Sequence, residues 1–306
     1  MQKTMNFNLI DAVWIPVLYG EGRFERVGIM RVLTEADRIR QIAASNPMDN
    51  VALLRFLLAV LLWCKPDARQ TLEQPGPQER GIPQDWLGNL TQHKNAFNLL
   101  GDGPRFYQDA SLQNKESCPI ADLLVEFPGA KSVNHMRHVV HDGSYGFCPA
   151  CCVLGILRLS VWAPANRFYP ASVNPGSAAY AIIEEKNLLQ TLRANLPTAS
   201  GDPSHAPWAI NQPPATPDAI TNLAWRPRKI WLNVADNGGP CAYCGAPGTL
   251  VKSLSIEKGW PTPVTSGQKF GKDVLAEFIV PTRVGVNRLR RHLRVTVHVS
   301  SPRAWG

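Results

Sequence analysis

The chain has 306 residues, of which 44% are hydrophobic, and a formal net charge of +8. That length allows one large domain or two ordinary ones, with enough apolar residues for a real core. The longest apolar run, residues 51–62, is interrupted by Arg55 and too short to span a bilayer, and residues 1–8 hold no signal-type stretch. A membrane or secreted protein is therefore excluded at this level, and a soluble cytoplasmic one is expected.

In chain order, residues 7–17 read as a short strand entering a turn at Trp14-Ile15-Pro16. Residues 23–29 read as its partner after the Gly20-Glu21-Gly22 turn. Thr34 followed by Asp37 has the pattern of a helix N-cap and predicts a helix to about Ala44. Asp49 is placed to cap a second helix over 51–64. Its apolar residues wrap most of its surface, so it is a core helix, and Pro66 ends it. Residues 76–83 form a loop. Residues 85–100 carry apolar residues at helical spacing and stop at Gly101. Two short extended elements follow, at 105–108 and 120–126.

Residues 127–147 show little periodicity and hold Lys131, Arg137 and three of the seven histidines. A polar loop of this length inside a globular domain is often functional. Residues 151–162 read as a helix, 163–176 as a second loop, 180–183 as a strand and 187–195 as a helix. A proline-rich connection, 197–217, leads to a strand within 223–234, where basic and aromatic residues alternate through Trp225-Arg226-Pro227-Arg228-Lys229-Ile230-Trp231.

Four cysteines carry the sharpest signal. Cys148-Pro-Ala-Cys151 and Cys241-Ala-Tyr-Cys244 form two knuckles that together supply the four thiolates of a closed tetrahedral zinc site. Gly245 after the second lets the backbone turn its amides toward the sulfurs. Such a site has no open position for water, so the metal is structural. Cys152 is an alternative to Cys151, because Cys-x3-Cys also chelates. Seven cysteines, an odd number in a long chain, argue against a disulfide framework. Cys64 and Cys118 read as packing residues.

The positive charge is concentrated at 281–306, where Arg283, Arg288, Arg290, Arg291, Arg294 and Arg303 face no acid. Such a stripe suits a polyanion, most often nucleic acid. No G-x-x-x-x-G-K-[ST], G-x-G-x-x-G or G-x-S-x-G motif is present. The best catalytic candidate is His135, His138 and His141, just before a knuckle. An HNH-like nuclease would use one histidine as general base and another with Asn134 to hold a metal ion. The same loop also suits contact with phosphates without chemistry.

Taken together, the motifs resemble the large subunit of the type I-E CRISPR Cascade surveillance complex, the CasA type. The resemblance is carried by Phe7-Asn8-Leu9-Ile10-Asp11 with Trp14-Ile15-Pro16-Val17, by Asn50-Val51-Ala52-Leu53-Leu54-Arg55, and by Pro104-Arg105-Phe106-Tyr107-Gln108. Both knuckles, Ala171-Ser172-Val173-Asn174-Pro175-Gly176, Leu189-Gln190-Thr191-Leu192, Leu223-Ala224-Trp225-Arg226-Pro227-Arg228 and Gly259-Trp260-Pro261 follow in the family's order.

The resemblance implies a mixed, loop-rich α+β domain over 1–306 with structural zinc, and no catalysis. It implies contact with crRNA, with target double-stranded DNA, and with the backbone, crRNA 5′-handle-binding and small subunits, ahead of a separate nuclease. The loop holding Lys131, Asn134, His135, Arg137 and His138 would meet the crRNA end and neighbouring subunits. Arg167, Ser172, Asn174 and Gly176 would approach the DNA minor groove, where the donor and acceptor code is degenerate. Lys252 or Lys258 would reach the protospacer-adjacent motif, with Arg288, Arg290, Arg291 and Arg294 as a phosphate-holding stripe. Family members continue into a wedge loop and a four-helix bundle, so the chain is expected to be either a shortened variant or a cut one.

Overall fold

A computed structural model describes residues 6–73, 80–124, 126–127, 145–162, 180, 182–234 and 238–261. The strands among the described residues are β1 (Phe7–Asn8), β2 (Ile15–Tyr19), β3 (Phe24–Val27), β4 (Ile39–Ile42), β5 (Asn98–Leu100), β6 (Cys118–Pro119), β7 (Arg228–Val234), β8 (Gly239–Pro240), β9 (Pro247–Gly248) and β10 (Val251–Lys258). The α-helices among them are α1 (Ile29–Thr34), α2 (Pro47–Cys64), α3 (Ala68–Glu73), α4 (Gly88–Gln92), α5 (Pro149–Trp162), α6 (Leu188–Asn195) and α7 (Ala219–Leu223). The α+β class expected from sequence holds.

The organising element is α2. Its composition is apolar all round, and every residue from Val51 to Trp63 is buried. A helix with no polar stripe must be covered on all sides, and α5 and α7 do much of that covering. At 18 residues it is long and apolar enough, by length and composition, to cross a membrane. That exceeds the expected 51–64 because Pro47–Asn50 also join the helix. Here 78% of it is buried within the fold. Phe56 meets Phe106 and Trp208 edge-on, with ring centroids 5.6 and 5.9 Å apart.

Two small antiparallel sheets flank this core, ordered β3-β2-β4 and β6-β10-β7. The expected hairpin is present: Ile15 pairs with Val27 and Leu18 with Phe24 across the Gly20-Glu21-Gly22 turn. The β7–β10 pair runs from Val234↔Val251 to Arg228↔Lys258 and is the longest register among the described residues. The 105–108 motif staples two parts together. The Gln108 side-chain amide donates to the Leu99 carbonyl and accepts from the Leu232 amide, at 2.6 and 2.9 Å.

Several element boundaries differ from expectation. The first strand stops at Asn8, and the pairing strand is β2, which starts at Ile15 rather than ending there. Thr34 closes α1 instead of opening a helix, its hydroxyl donating to the Met30 carbonyl at 3.0 Å. Residues 39–42 are strand β4, because pairing with β2 outweighs local propensity. The 85–100 segment splits into short 3-10 and α pieces and ends as β5, paired with β1. Residues 120–123 are 3-10 rather than extended, and residues 182–183 are not in a strand. Asn46, not Asp49, caps α2: its side chain accepts from the Met48 amide at 2.8 Å, with Pro47 opening the helix. In the basic–aromatic segment, Arg226 and Arg228 face inward and are buried. Arg226 donates to the Ile210 and Pro207 carbonyls and lies over the Tyr107 and Trp260 rings. Glycine is required at 259, where a Cβ would sit 2.3 Å from the Arg226 carbonyl oxygen.

Candidate metal centre

The two knuckles converge although they lie more than ninety residues apart. The first is carried at the start of α5, where the Cys151 and Cys152 amides both donate to the Cys148 carbonyl at 3.0 Å. The second is a tight turn between β8 and β9. Gly245 has φ +73°, a conformation that costs a non-glycine residue about 1 kcal/mol or more. Its amide donates to the Cys241 carbonyl at 2.8 Å. The Ala242 amide donates to the Gly146 carbonyl, and Phe147 pairs with Val251 at the start of β10, which locks the turn beside the first knuckle.

The sulfurs of Cys148, Cys151, Cys241 and Cys244 all lie within 4.8 Å of one another. Cys148 Sγ is 3.5 Å from Cys151 Sγ and 3.7 Å from Cys244 Sγ. Those separations are far beyond the roughly 2.05 Å of a disulfide, and all seven cysteines are free. The Cys148 amide donates to Cys241 Sγ at 3.2 Å, the kind of contact that favours thiolate over thiol. Four convergent soft donors can hold one metal ion. Cys151 is in this set and Cys152 is not. Cys152 is fully buried, points toward the Phe147 carbonyl (3.7 Å), and burial pushes its thiol well above the ordinary value. Cys152→Ala is therefore expected to leave metal content after dialysis unchanged, whereas Cys151→Ser is expected to abolish it.

Around this cluster lies a charge network that the sequence did not reveal. Arg158 on α5 and Asp49 on α2 are 4% and 1% exposed and form a two-point ion pair, with Nη2 2.8 Å from Oδ2. Arg158 also binds Glu126 at 2.6 Å and donates to the Tyr243 hydroxyl at 3.0 Å. Tyr243 sits inside the second knuckle, so this network ties the knuckle to both core helices. Burial holds the Asp49 carboxyl above its ordinary value. For Glu126 burial also raises, but the hydrogen bond and charge of Arg158 outweigh it and leave the carboxyl below the ordinary value. Arg26, on β3, directs Nη1 to Cys244 Sγ at 3.8 Å.

Of the nucleic-acid residues expected from sequence, Lys252 and Lys258 lie on β10 with exposed side chains. Lys252 follows Val251, which pairs with the residue preceding Cys148. Lys131, Asn134, His135, Arg137, His138 and His141 lie outside the described residues, as do Arg167, Ser172, Asn174, Gly176, Arg288, Arg290, Arg291 and Arg294.

Fold and site together define a mixed α+β scaffold closed around a four-cysteine centre. The family model described as CRISPR-associated protein Cse1 matches residues 8–273, and the chain belongs to that family. The chain is 30% identical over 207 residues to CRISPR-associated protein CasA/Cse1 of Thermus thermophilus, covering 62% of this chain and 39% of that protein. It is similar in structure to Thermus thermophilus CasA (TM-score 0.64, 23% identity, 86% of this chain and 54% of the other). It is also similar to a chain of a CRISPR RNA-guided surveillance complex (TM-score 0.68, 15% identity, 86% and 58%). The chain thus spans between two fifths and three fifths of the length of these relatives.

Proposed function

We propose that this chain is the non-catalytic large subunit of a cytoplasmic type I-E CRISPR Cascade effector. In this reading it recognises the protospacer-adjacent motif in duplex DNA and contacts the crRNA 5′ region. It also supports target-strand unwinding and nuclease recruitment in antiviral defence. The observation that carries the reading is the Cse1 family match over residues 8–273. The likeness in fold to a chain of a CRISPR RNA-guided surveillance complex accords with it. Residues 1–306 are taken as one large-subunit domain, with partners in crRNA, target DNA, the other Cascade subunits and a downstream nuclease, and none in a membrane.

Minor-groove contact is assigned to Arg167, Ser172, Asn174 and Gly176, with Lys252 and Lys258 reaching the motif and Arg288, Arg290, Arg291 and Arg294 holding phosphates. The exposure of Lys252 and Lys258 on an ordered strand agrees with that role. Lys131, Asn134, His135, Arg137 and His138 are assigned to crRNA and subunit contact. The metal is zinc: a tetrahedral ion with bonds of about 2.3 Å needs sulfurs about 3.8 Å apart, close to the spacings at Cys148. Zinc would supply no chemistry here beyond cross-linking the two knuckles.

The reading is tested by assembling the crRNA-guided complex with and without this chain and titrating a matched target duplex. Omission is expected to weaken binding at least tenfold and to lower its salt dependence. Equal affinity with and without the chain would refute the assignment.

A further inference from the structure

The four-thiolate centre is unevenly enclosed. Cys148, Cys151 and Cys241 are 8%, 2% and 2% exposed. Cys244 is only half-buried and, with Cys151, borders a cavity of about 270 Å³ whose walls include Trp14, Phe24 and Tyr243. Four thiolates around a divalent cation leave an excess of two negative charges. Holding that excess in partly dehydrated surroundings is costly unless a cation stands close by. Among the described residues lining this cavity there is a single cation, Arg26. The other charged lining residue, Asp49, is engaged by Arg158.

The β2–β3 ladder fixes the backbone at Arg26 beside the second knuckle. Arg26 sits opposite Pro16 in that ladder, and its Nη1 is 3.8 Å from Cys244 Sγ. A guanidinium does not lose its proton in proteins, so its charge is present wherever the thiolates bind metal.

We propose that Arg26 is a positioning residue of the metal centre: it neutralises the one outward-facing thiolate, keeps Cys244 in the ligand set, and so sets how tightly the metal is held. This rests on the zinc reading above. Loss of a partner one shell beyond the ligands costs about 10–100-fold in metal affinity.

The test uses the intact chain in chelator competition with zinc, and the absorption spectrum after cobalt(II) substitution. Arg26→Leu is expected to bind zinc about tenfold more weakly. Its thiolate-to-cobalt charge-transfer bands should move to longer wavelength, because the sulfur lone pairs lose a stabilising donor. Arg26→Lys keeps the charge without the planar fork and should recover most of the affinity. If the leucine variant does not fold, Arg26→Gln, uncharged but polar and similar in reach, is read in its place. Affinity within twofold of wild type and an unshifted spectrum in the uncharged variant would overturn the proposal. A wild-type chain that takes up neither zinc nor cobalt would instead overturn the metal reading itself.

Discussion

Cys241→Ser is expected to bring metal content from one ion per chain to none and to lower the thermal midpoint by roughly 6–8 °C. The size of the shift follows from linkage between binding and folding. A metal held at about a thousand times its dissociation constant contributes about 4 kcal/mol to folding. In a chain of 306 residues about 1 kcal/mol corresponds to roughly 1.5–2 °C. The loss should not unfold the whole molecule, because the apolar core built on α2 and covered by α7 extends well beyond the cysteines. It should detach the β8–β9 turn, whose anchors include the Gly146 carbonyl, the sulfur cluster and Tyr243. Metal analysis and a melting curve with and without chelator check this. Chelator added to wild type should reproduce the variant. A chelated wild type that melts as before would show that the cysteines carry no structural metal.

Arg158→Met is expected to cost about 3–5 kcal/mol, because it strands the Asp49 carboxylate without its counter-charge in a site 1% exposed. The sign of its pH dependence follows from the two carboxyls. Asp49 already lies above its ordinary value through burial, and removing Arg158 raises it further. A raised carboxyl contributes stability present at low pH and lost as pH rises. Glu126 lies below its ordinary value in wild type, so its contribution is lost as pH falls through that lowered value. Both effects narrow the gap between variant and wild type as pH falls toward the carboxylate range. Asp49→Leu combined with Arg158→Met should regain most of the loss, since a buried pair replaced by apolar side chains is often neutral. Denaturant melts of both single variants and the double variant at pH 7 and pH 5 settle the matter. Single and double variants of equal stability would contradict it.

How much of this was legible depends on the range of the interactions. Local chemistry read well. The Gly20-Glu21-Gly22 turn, the apolar run of α2, Asn187 at the start of α6 and the two knuckles are each decided by a few neighbouring residues. Where tertiary pairing decides, local signals misled. Residues 39–42 take their conformation from β2, and Asn98–Leu100 from β1. Asp49 resembled a cap because it stands in the first turn of α2, yet its partner Arg158 is 109 residues away. Nothing in sequence links the two.

The same distinction applies to the site. Cys-x2-Cys spacing announces ligands but says nothing of what surrounds them. Arg26 lies between Glu25 and Val27 in a short strand and has no motif of its own. It meets Cys244 only because β3 and the second knuckle pack together. Tyr243 is the aromatic inside its knuckle, which is a visible signal, but its bonds to Arg158 and Glu126 exist only in three dimensions. The choice between Cys151 and Cys152 is likewise set by helix phase. One residue further along α5 rotates a sulfur away from the cluster and toward the Phe147 carbonyl.

The central claim, that this chain reads the motif flanking the target, is tested most directly by measuring affinity of the assembled complex for duplexes that differ only in that motif. Wild type is to be compared with a variant altered at Arg167, Ser172, Asn174 and Lys252. Strong discrimination is predicted in wild type and its loss in the variant, with matched and mismatched duplexes then bound alike. Discrimination unchanged in the variant would contradict the claim and place motif reading in another subunit.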